Sequence, residues 1–340
     1  MAEEQRLAIL AGFADALPDP CLLIDRRSVV RHANPAARHE FPGLAAGGLL
    51  TLALRSPVLL TAIDLVWRTG EAQAVELHQT VPNETWHRAH IAALPGGDLL
   101  AVTLQSLTAH RRTEQLRSDF VANASHELRT PLTSLVGFID TLLGPAANDE
   151  AARERFLHIM RQQAGRMSNL IDDLLSLSRI EMRQHMRPTG TVDLARLLRE
   201  VREGLETQAV EAGVKIEIAA GDPAPVTGDQ NELYEVFENL IDNAIKYGGD
   251  GGLVEVAVGE GRAGYDYAVT VTDRGVGIEA QHVPRLTERF YRVDEESSRK
   301  KKGTGLGLAI VKHIVNRHRG LLTIRSAPGE GTRVEVLLNK

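Results

Sequence analysis

The sequence holds a single cysteine, Cys21, among 340 residues, so no disulfide closes within the chain and no cysteine-rich metal site exists. That poverty fits a reducing compartment such as the cytoplasm. An excess of positive charge is also missing. Thirty-nine Lys and Arg residues stand against 45 Asp and Glu, a net charge of -6, which argues against a nucleic-acid partner. The first residues, MAEEQRLAILAGF, lack the positive start and apolar core of a secretion signal. The most apolar stretch, residues 48–67, contains Arg55, Pro57 and Asp64, and a charge near mid-bilayer is costly. A helix of a folded domain is the better reading. The chain is expected to have no membrane segment and to be cytoplasmic, whole or as the soluble part of a membrane-anchored protein.

Glycine is nearly absent from residues 108–185, which read as two long helices. In the first, Leu116, Phe120, Ala124, Leu128, Leu132, Leu135, Ile139 and Leu142 recur at steps of three or four; in the second, Phe156, Met160, Ala164, Met167, Ile171, Leu174 and Leu177 do so. Gly144-Pro145 separates them. A lone hairpin leaves both apolar stripes exposed, whereas two hairpins bury them in a four-helix bundle, so a homodimer is expected. Before this region, residues 1–107 mix short helical patterns with strand-like runs at 21–25 and 99–104, consistent with a small α/β domain built on an antiparallel sheet. After it, residues 190–340 alternate helices near 229–247 and 305–318 with strands near 214–218, 254–258, 267–272, 321–325 and 333–337, a two-layer α/β pattern. The expected fold class is multidomain α+β, divided at 1–107, 108–185 and 190–340.

Within the first long helix, Ser125-His-Glu-Leu-Arg-Thr-Pro-Leu132 concentrates reactive side chains. His126 lies two residues from both Ala124 and Leu128, about 160–200° around the helix from the apolar stripe at roughly 100° per residue, and so points outward. A neutral imidazole is a nucleophile near neutral pH because its pKa lies near ~6.5. One ring nitrogen attacks; the other then needs an acceptor, which Glu127 can supply. Thr130 follows one turn later on the same face, where its hydroxyl could orient a water. Pro131 removes a backbone hydrogen bond and should bend or loosen the helix beside the histidine. This segment resembles the phosphoacceptor box of the largest histidine-kinase family. The resemblance implies that His126 is the phosphorylated residue, that Glu127 is its acid/base, and that Glu127-x-x-Thr130 also serves to dephosphorylate a partner protein.

Four further pieces point to a nucleotide. In Glu235-Val-Phe-Glu-Asn239-Leu-Ile-Asp-Asn243-Ala-Ile-Lys246-Tyr247, the apolar residues share one face while Glu235, Asn239 and Asn243 follow at steps of four beside it. Such an oxygen row suits Mg²⁺, and Lys246 is placed to meet phosphate. Asp273-Arg-Gly275-Val-Gly277 directly follows a strand, where a carboxylate can accept a hydrogen bond from an exocyclic amine such as that of adenine. Gly303-Thr304-Gly305-Leu306-Gly307 opens a helix whose backbone N–H groups suit phosphates; the strand-first context of a dinucleotide fold is lacking. Arg292 and the basic run Arg299-Lys-Lys-Lys302 precede that loop and could meet a triphosphate as a lid. Gly329-Glu-Gly331-Thr332 reads as a plain hairpin turn.

In this order the pieces resemble the ATP-binding domain of histidine kinases, an α/β sandwich of the Bergerat (GHKL) type shared with gyrase, MutL and the HSP90 chaperone. The resemblance covers about residues 112–340. It implies that ATP and Mg²⁺ are used, with nucleotide contacts from Asn239, Asn243, Lys246, Tyr247, Asp273, Gly275, Gly277, Arg292, Gly303, Thr304, Gly305, Leu306, Gly307 and Thr332, and metal contacts from Asn243 and Glu235. It implies a two-component sensor kinase whose partners are a second copy of itself and a response regulator. The core most resembles the phosphate-regulon type. Leu17 to Asp25 with Val30 to Ala37 resembles the start of a PAS sensor domain. The related ATPases carry a water-activating glutamate four residues before the metal-binding asparagine. Here that position is Asn239, a poor general base, which favours transfer to His126 over hydrolysis. A gyrase-type ATPase and a nucleotide-binding scaffold without turnover are the competing readings.

Overall fold

A computed structural model describes residues 2–79, 84–183, 185–221, 223–248, 251–293 and 303–340, without the side chains of residues 2, 3, 53, 112, 116 and 117. The chain divides into two compact units, Met1–Val121 and Ala122–Lys340.

In the first unit, α1 (Ala2–Asp15) precedes strands β1 (Cys21–Asp25) and β2 (Val30–Ala33). Helices α2 (Pro35–Glu40), α3 (Leu50–Ala53) and α4 (Pro57–Thr69) follow, then β3 (Gln73–Gln79), β4 (Thr85–Ala93) and β5 (Leu99–Ser106). The five strands form an antiparallel sheet in the order β2-β1-β5-β4-β3. The apolar run at 48–67 becomes α3 and α4. Ser56 caps α4 through its hydroxyl, and Gly70 ends it in the left-handed region at φ 73°. Leu59, Ala62, Ile63 and Val66 of α4 turn to a core shared with Leu22, Ile24, Ile91, Leu100 and Leu104 of the sheet.

Two long helices come next: α5 (Thr108–Leu143) and α6 (Glu150–Met182). The expected break at Gly144-Pro145 is where α5 stops, and Asp149 caps α6 by accepting the Ala152 N–H at 2.9 Å. Helix α5 runs on through Pro131. Phe138 and Phe156 stack across the hairpin with ring centroids 5.1 Å apart. Leu132 and Leu143 of α5 and Leu157 and Leu175 of α6 are each more than half exposed, and Val136 of α5 is half exposed. Of the stripes read from sequence, Leu132, Ile139, Ala164 and Ile171 are exposed, Leu177 is buried and the other described members are half-buried.

The C-terminal domain begins with β6 (Thr191–Asp193), α7 (Leu194–Glu211), β7 (Lys215–Ala219) and β8 (Pro225–Thr227). It continues through α8 (Gln230–Gly248), β9 (Leu253–Glu260), β10 (Tyr267–Asp273), α9 (Gly307–Arg317), β11 (Leu321–Ala327) and β12 (Gly331–Leu338). A five-stranded sheet runs β11-β12-β10-β9-β7, antiparallel except for the parallel pair β7/β9, while β6 and β8 make a separate small ladder. Val236, Phe237, Leu240 and Ile241 of α8 and Ile310, Val311 and Ile314 of α9 are wholly buried. Burial of each such side chain stabilises by about 1.5–3 kcal/mol, which fixes the helical layer on the sheet. Because the apolar residues of α8 must face the sheet, its polar residues at steps of four fall along the layer's edge.

Candidate nucleotide site

That edge opens into a cavity of about 970 Å³. Asp273, buried, is part of its lining. The last residue of β10 is held by the ladder opposite Thr332 on one side and Val254 on the other. Its Oδ1 accepts the Gly275 N–H at 2.9 Å and the Thr332 N–H at 3.2 Å. Burial raises the Asp273 carboxyl above the usual carboxylate range, against the lowering effect of those two bonds. Among the described residues no donor meets Oδ2, which leaves it for a ligand amine.

Glycines let the surrounding backbone close on this carboxylate. A Cβ on Gly248 would lie 2.3 Å from the Asp273 Cβ, and one on Gly331 would lie 2.1 Å from the Asp273 carbonyl oxygen, at a φ of +79°. Gly331 therefore does more than turn a hairpin: it lets β12 pass directly behind the acid. Gly277 combines a φ of +70° with a clash of 1.9 Å against the Ala327 carbonyl, so only glycine fits there too.

Glu235, Asn239, Asn243, Lys246 and Tyr247 of α8 all line the cavity, as do Asp273, Gly277, Arg292, Gly303, Thr304, Gly305, Gly307 and Thr332. Gly275 and Leu306 do not. Gly275 stands behind Asp273, and Leu306 is fully buried at the start of α9. Asn239 donates its amide to the Glu235 carbonyl at 2.9 Å, so its oxygen faces Gly307, where a Cβ would come within 2.4 Å. Lys246 pairs with Asp242 at 2.5 Å. The run 299–302 lies outside the described residues.

His126, Glu127 and Thr130 are not among the residues that line the cavity. His126 is exposed on α5, as its helical phase requires. Glu127 accepts from Arg166 of α6 at 2.9 Å, and Arg292 approaches the same oxygen to 3.8 Å. Thr130 donates its hydroxyl to the His126 carbonyl at 3.2 Å.

Sequence reasoning missed the contribution of α6. Asp172, Asp173, Ser176 and Arg179 also line the cavity. Thr304 donates to Asp173 at 2.6 Å and Ser176 to Glu235 at 2.5 Å. Burial is the main cause that raises both carboxyls, Asp173 and Glu235. The only signal in the sequence was a pair of acids, Asp172-Asp173, set beside an apolar stripe.

The residues fit the groups that the sequence resemblance implies. The cavity has the size of a nucleotide site, with a buried carboxylate and a glycine loop in its lining. Among the described residues no cluster of three His, Cys, Asp or Glu could bind a metal through protein alone. Glu235 and Asn243 instead offer the sparse oxygen set that Mg²⁺ uses when waters and phosphates complete its shell.

Comparison with known proteins agrees. Residues 116–183 match the His Kinase A (phospho-acceptor) domain and residues 228–340 the histidine kinase-, DNA gyrase B- and HSP90-like ATPase domain. The phosphate regulon sensor protein PhoR of Pseudomonas aeruginosa is 42% identical over 231 residues, covering 67% of this chain and 51% of that protein. The sensor-like histidine kinase SenX3 of Mycolicibacterium smegmatis is 35% identical over 231 residues, 68% of this chain and 59% of that one. The chain thus spans a little over half the length of these relatives. Among solved structures, the Acinetobacter baumannii histidine kinase AdeS aligns with a TM-score of 0.50 at 26% identity, over 63% of this chain and 97% of that one. With an exposed histidine on a helical hairpin and a cavity lined by a buried acid, the chain belongs to the sensor histidine kinases.

Proposed function

We propose that this chain is an ATP-dependent protein-histidine kinase that phosphorylates His126 and passes the phosphoryl group to an aspartate of a response regulator. The observation that carries this reading is the pairing of an exposed histidine, Glu127 beside it, with a nucleotide-sized cavity lined by the buried Asp273. In the proposed reaction, Asp273 takes the adenine amine, and Lys246, Arg292 and the Gly303–Gly307 loop hold phosphates. Asn243 and Glu235 would hold Mg²⁺, which neutralises charge on the transferring group. A ring nitrogen of His126 forms the N–P bond as the bond from the γ-phosphorus to the ADP oxygen breaks, and Glu127 accepts the proton released by the other ring nitrogen. Arg166 keeps the Glu127 carboxylate anchored on the hairpin.

The regulator, the homodimer and the phosphatase role of Thr130 belong to the same reading. The exposed apolar residues of α5 and α6, Leu132, Val136, Ile139, Leu157, Ile171 and Leu175, support a second copy as their cover. The antiparallel sheet with its helices between β2 and β3 supports a PAS-like sensor domain at 1–107, followed by the phosphotransfer hairpin at 108–185 and the ATP-binding domain at 190–340. Among the described residues no helix is long and apolar enough to cross a membrane. We place this part of the protein in the cytoplasm, where ATP and a regulator are available. The relation to the phosphate regulon sensor protein PhoR supports a core of the phosphate-regulon type.

The test is incubation of purified protein with Mg²⁺ and γ-labelled ATP. A protein-bound label stable to base and lost in acid supports the kinase. Steady release of phosphate with no labelled protein would support a gyrase-type ATPase instead, a reading that Asn239 disfavours.

A further inference from the structure

Ser326 of β11 stands opposite Thr332 of β12 in the ladder. Its hydroxyl has one proton and two acceptor sites, and all three are in use. The Gly331 carbonyl lies 2.7 Å from its Oγ. A carbonyl has no proton to give, so the Ser326 proton lies in that bond. The Ile278 N–H donates to Ser326 Oγ at 2.9 Å and takes one acceptor site. Thr332 Oγ1 is 3.0 Å from the same oxygen. With the Ser326 proton committed to Gly331, the proton of this last bond is the one on Thr332. The Thr332 hydroxyl therefore gives its only proton to Ser326, and it meets anything else that approaches with lone pairs alone.

We propose that Ser326 is a positioning residue for base recognition: it fixes the Thr332 hydroxyl as a pure acceptor, and so sets the cavity to take a 6-aminopurine and to refuse a 6-oxopurine. The inference rests on the nucleotide reading above and adds to it the residue that sets the base preference. Thr332 and Asp273 both line the cavity. They face each other across the β10/β12 ladder, and the Thr332 N–H holds Asp273 Oδ1 at 3.2 Å. Both bonds that Asp273 accepts among the described residues fall on that oxygen. The pair therefore offers a ligand two acceptors, Asp273 Oδ2 and Thr332 Oγ1, and no hydroxyl proton. The amine of a 6-aminopurine brings two N–H groups to satisfy them. A 6-oxopurine brings a carbonyl oxygen to the same place, which sets lone pairs against lone pairs and leaves a desolvated acceptor without a donor. The carboxylate alone discriminates incompletely, because the ring N–H of a 6-oxopurine can still reach it. A threonine hydroxyl free to turn would weaken the discrimination further by donating to the 6-oxygen. Ser326 removes that freedom. It is not among the lining residues itself, so it acts through Thr332.

The experiment is calorimetric titration of the whole chain with ADP and with inosine diphosphate, each with Mg²⁺. The two differ only in an amine or an oxygen at the 6-position and the ring proton that accompanies the oxygen, and neither has a γ-phosphoryl group to transfer. The readout is the ratio of the two affinities. The wild type should bind ADP the tighter, and Ser326→Ala should reduce that preference about tenfold. Ser326→Thr, which keeps a hydroxyl, should restore it. In a Thr332→Val background, Ser326→Ala should leave the ratio within about twofold, because the hydroxyl it governs is gone. A Ser326 that only ties the hairpin together would weaken both diphosphates alike. An unchanged ratio in Ser326→Ala, or an equal fall with and without Thr332→Val, would overturn the proposal while leaving the nucleotide site standing. Binding of neither diphosphate to the wild type would sink the nucleotide reading itself. Should Ser326→Ala lose its thermal transition, Ser326→Cys, close in size but a weak acceptor, should lower the ratio in the same direction, and a wild-type ratio in that variant would count against the role of Ser326.

Discussion

Two buried polar side chains set the N-terminal unit and the ATP-binding domain apart. Asn34, fully buried between β2 and α2, accepts the Cys21 and Ala37 N–H groups through Oδ1 at 2.9 and 2.8 Å. Its amide nitrogen donates to the carbonyls of Ala14, Leu17 and Asp19. Every polar atom of the side chain is used within the fold. Asp273 is almost as buried, but both its bonds fall on one oxygen and the other faces a cavity. A satisfied buried polar group knots chain segments together; an incompletely satisfied one awaits a ligand. The difference explains why residues 1–107 bury a core of their own and yet disclose no chemistry. Five histidines lie there: His32, His39, His78, His87 and His90. Three of them make ordinary partners: His87 with Glu40 at 2.6 Å, His32 with Asp15 at 2.7 Å and His78 with Glu84 at 2.9 Å.

The contrast can be broken most directly by removing both side chains in turn. Asp273→Ala should lower affinity for Mg²⁺-ATP by roughly a hundredfold, about 2.7 kcal/mol, with little change in the melting profile; nucleotide titration and calorimetry read the two effects. Asn34→Ala should do the reverse. It strands several buried donors and acceptors and should cost the N-terminal unit about 2–3 kcal/mol in denaturant unfolding, while nucleotide affinity is unchanged. A loss of nucleotide affinity in Asn34→Ala, or a collapse of stability in Asp273→Ala, would erase the distinction.

A smaller effect sharpens it. His318 is buried between α9 and the start of α8, donates from Nδ1 to the Ile314 carbonyl at 2.9 Å and accepts the Asp229 N–H on Nε2 at 3.0 Å, so it is neutral in the fold. Burial lowers its pKa below the ordinary histidine value. The unfolded chain protonates first as pH falls, so stability is full above about 6.5, the unfolded value, and declines below it toward the lowered folded value. His318→Asn should flatten that slope between pH 7.5 and 5.5 in denaturant unfolding. An unchanged slope would assign it to other groups.

Much of this architecture was legible in the residues. The glycine-poor stretch with its three-and-four spacing gave the hairpin, and the phase of Ala124 and Leu128 placed His126 outward. The step-of-four spacing of Glu235, Asn239 and Asn243 put all three on the cavity edge, because the apolar face of α8 leaves them no other place. The contacts of α6 were not legible. Asp173 and Thr304 are separated by 131 positions, and nothing local to either segment encodes their meeting. The short β6–β8 ladder was hidden for a related reason: three-residue strands carry no period to detect. Gly331 read as a plain turn, since only the tertiary fold brings the Asp273 carbonyl within 2.1 Å of where its side chain would be.

The central claim is that chemistry and nucleotide recognition reside on different elements: His126 on α5 reacts, and the cavity of the ATP-binding domain binds. His126→Gln, assayed for phosphoprotein with γ-labelled ATP and for nucleotide affinity in the same preparation, tests it most directly. The account predicts complete loss of the acid-labile label with affinity within about twofold of the wild type, less than 0.5 kcal/mol. Retention of the label, or a large loss of affinity, would contradict it.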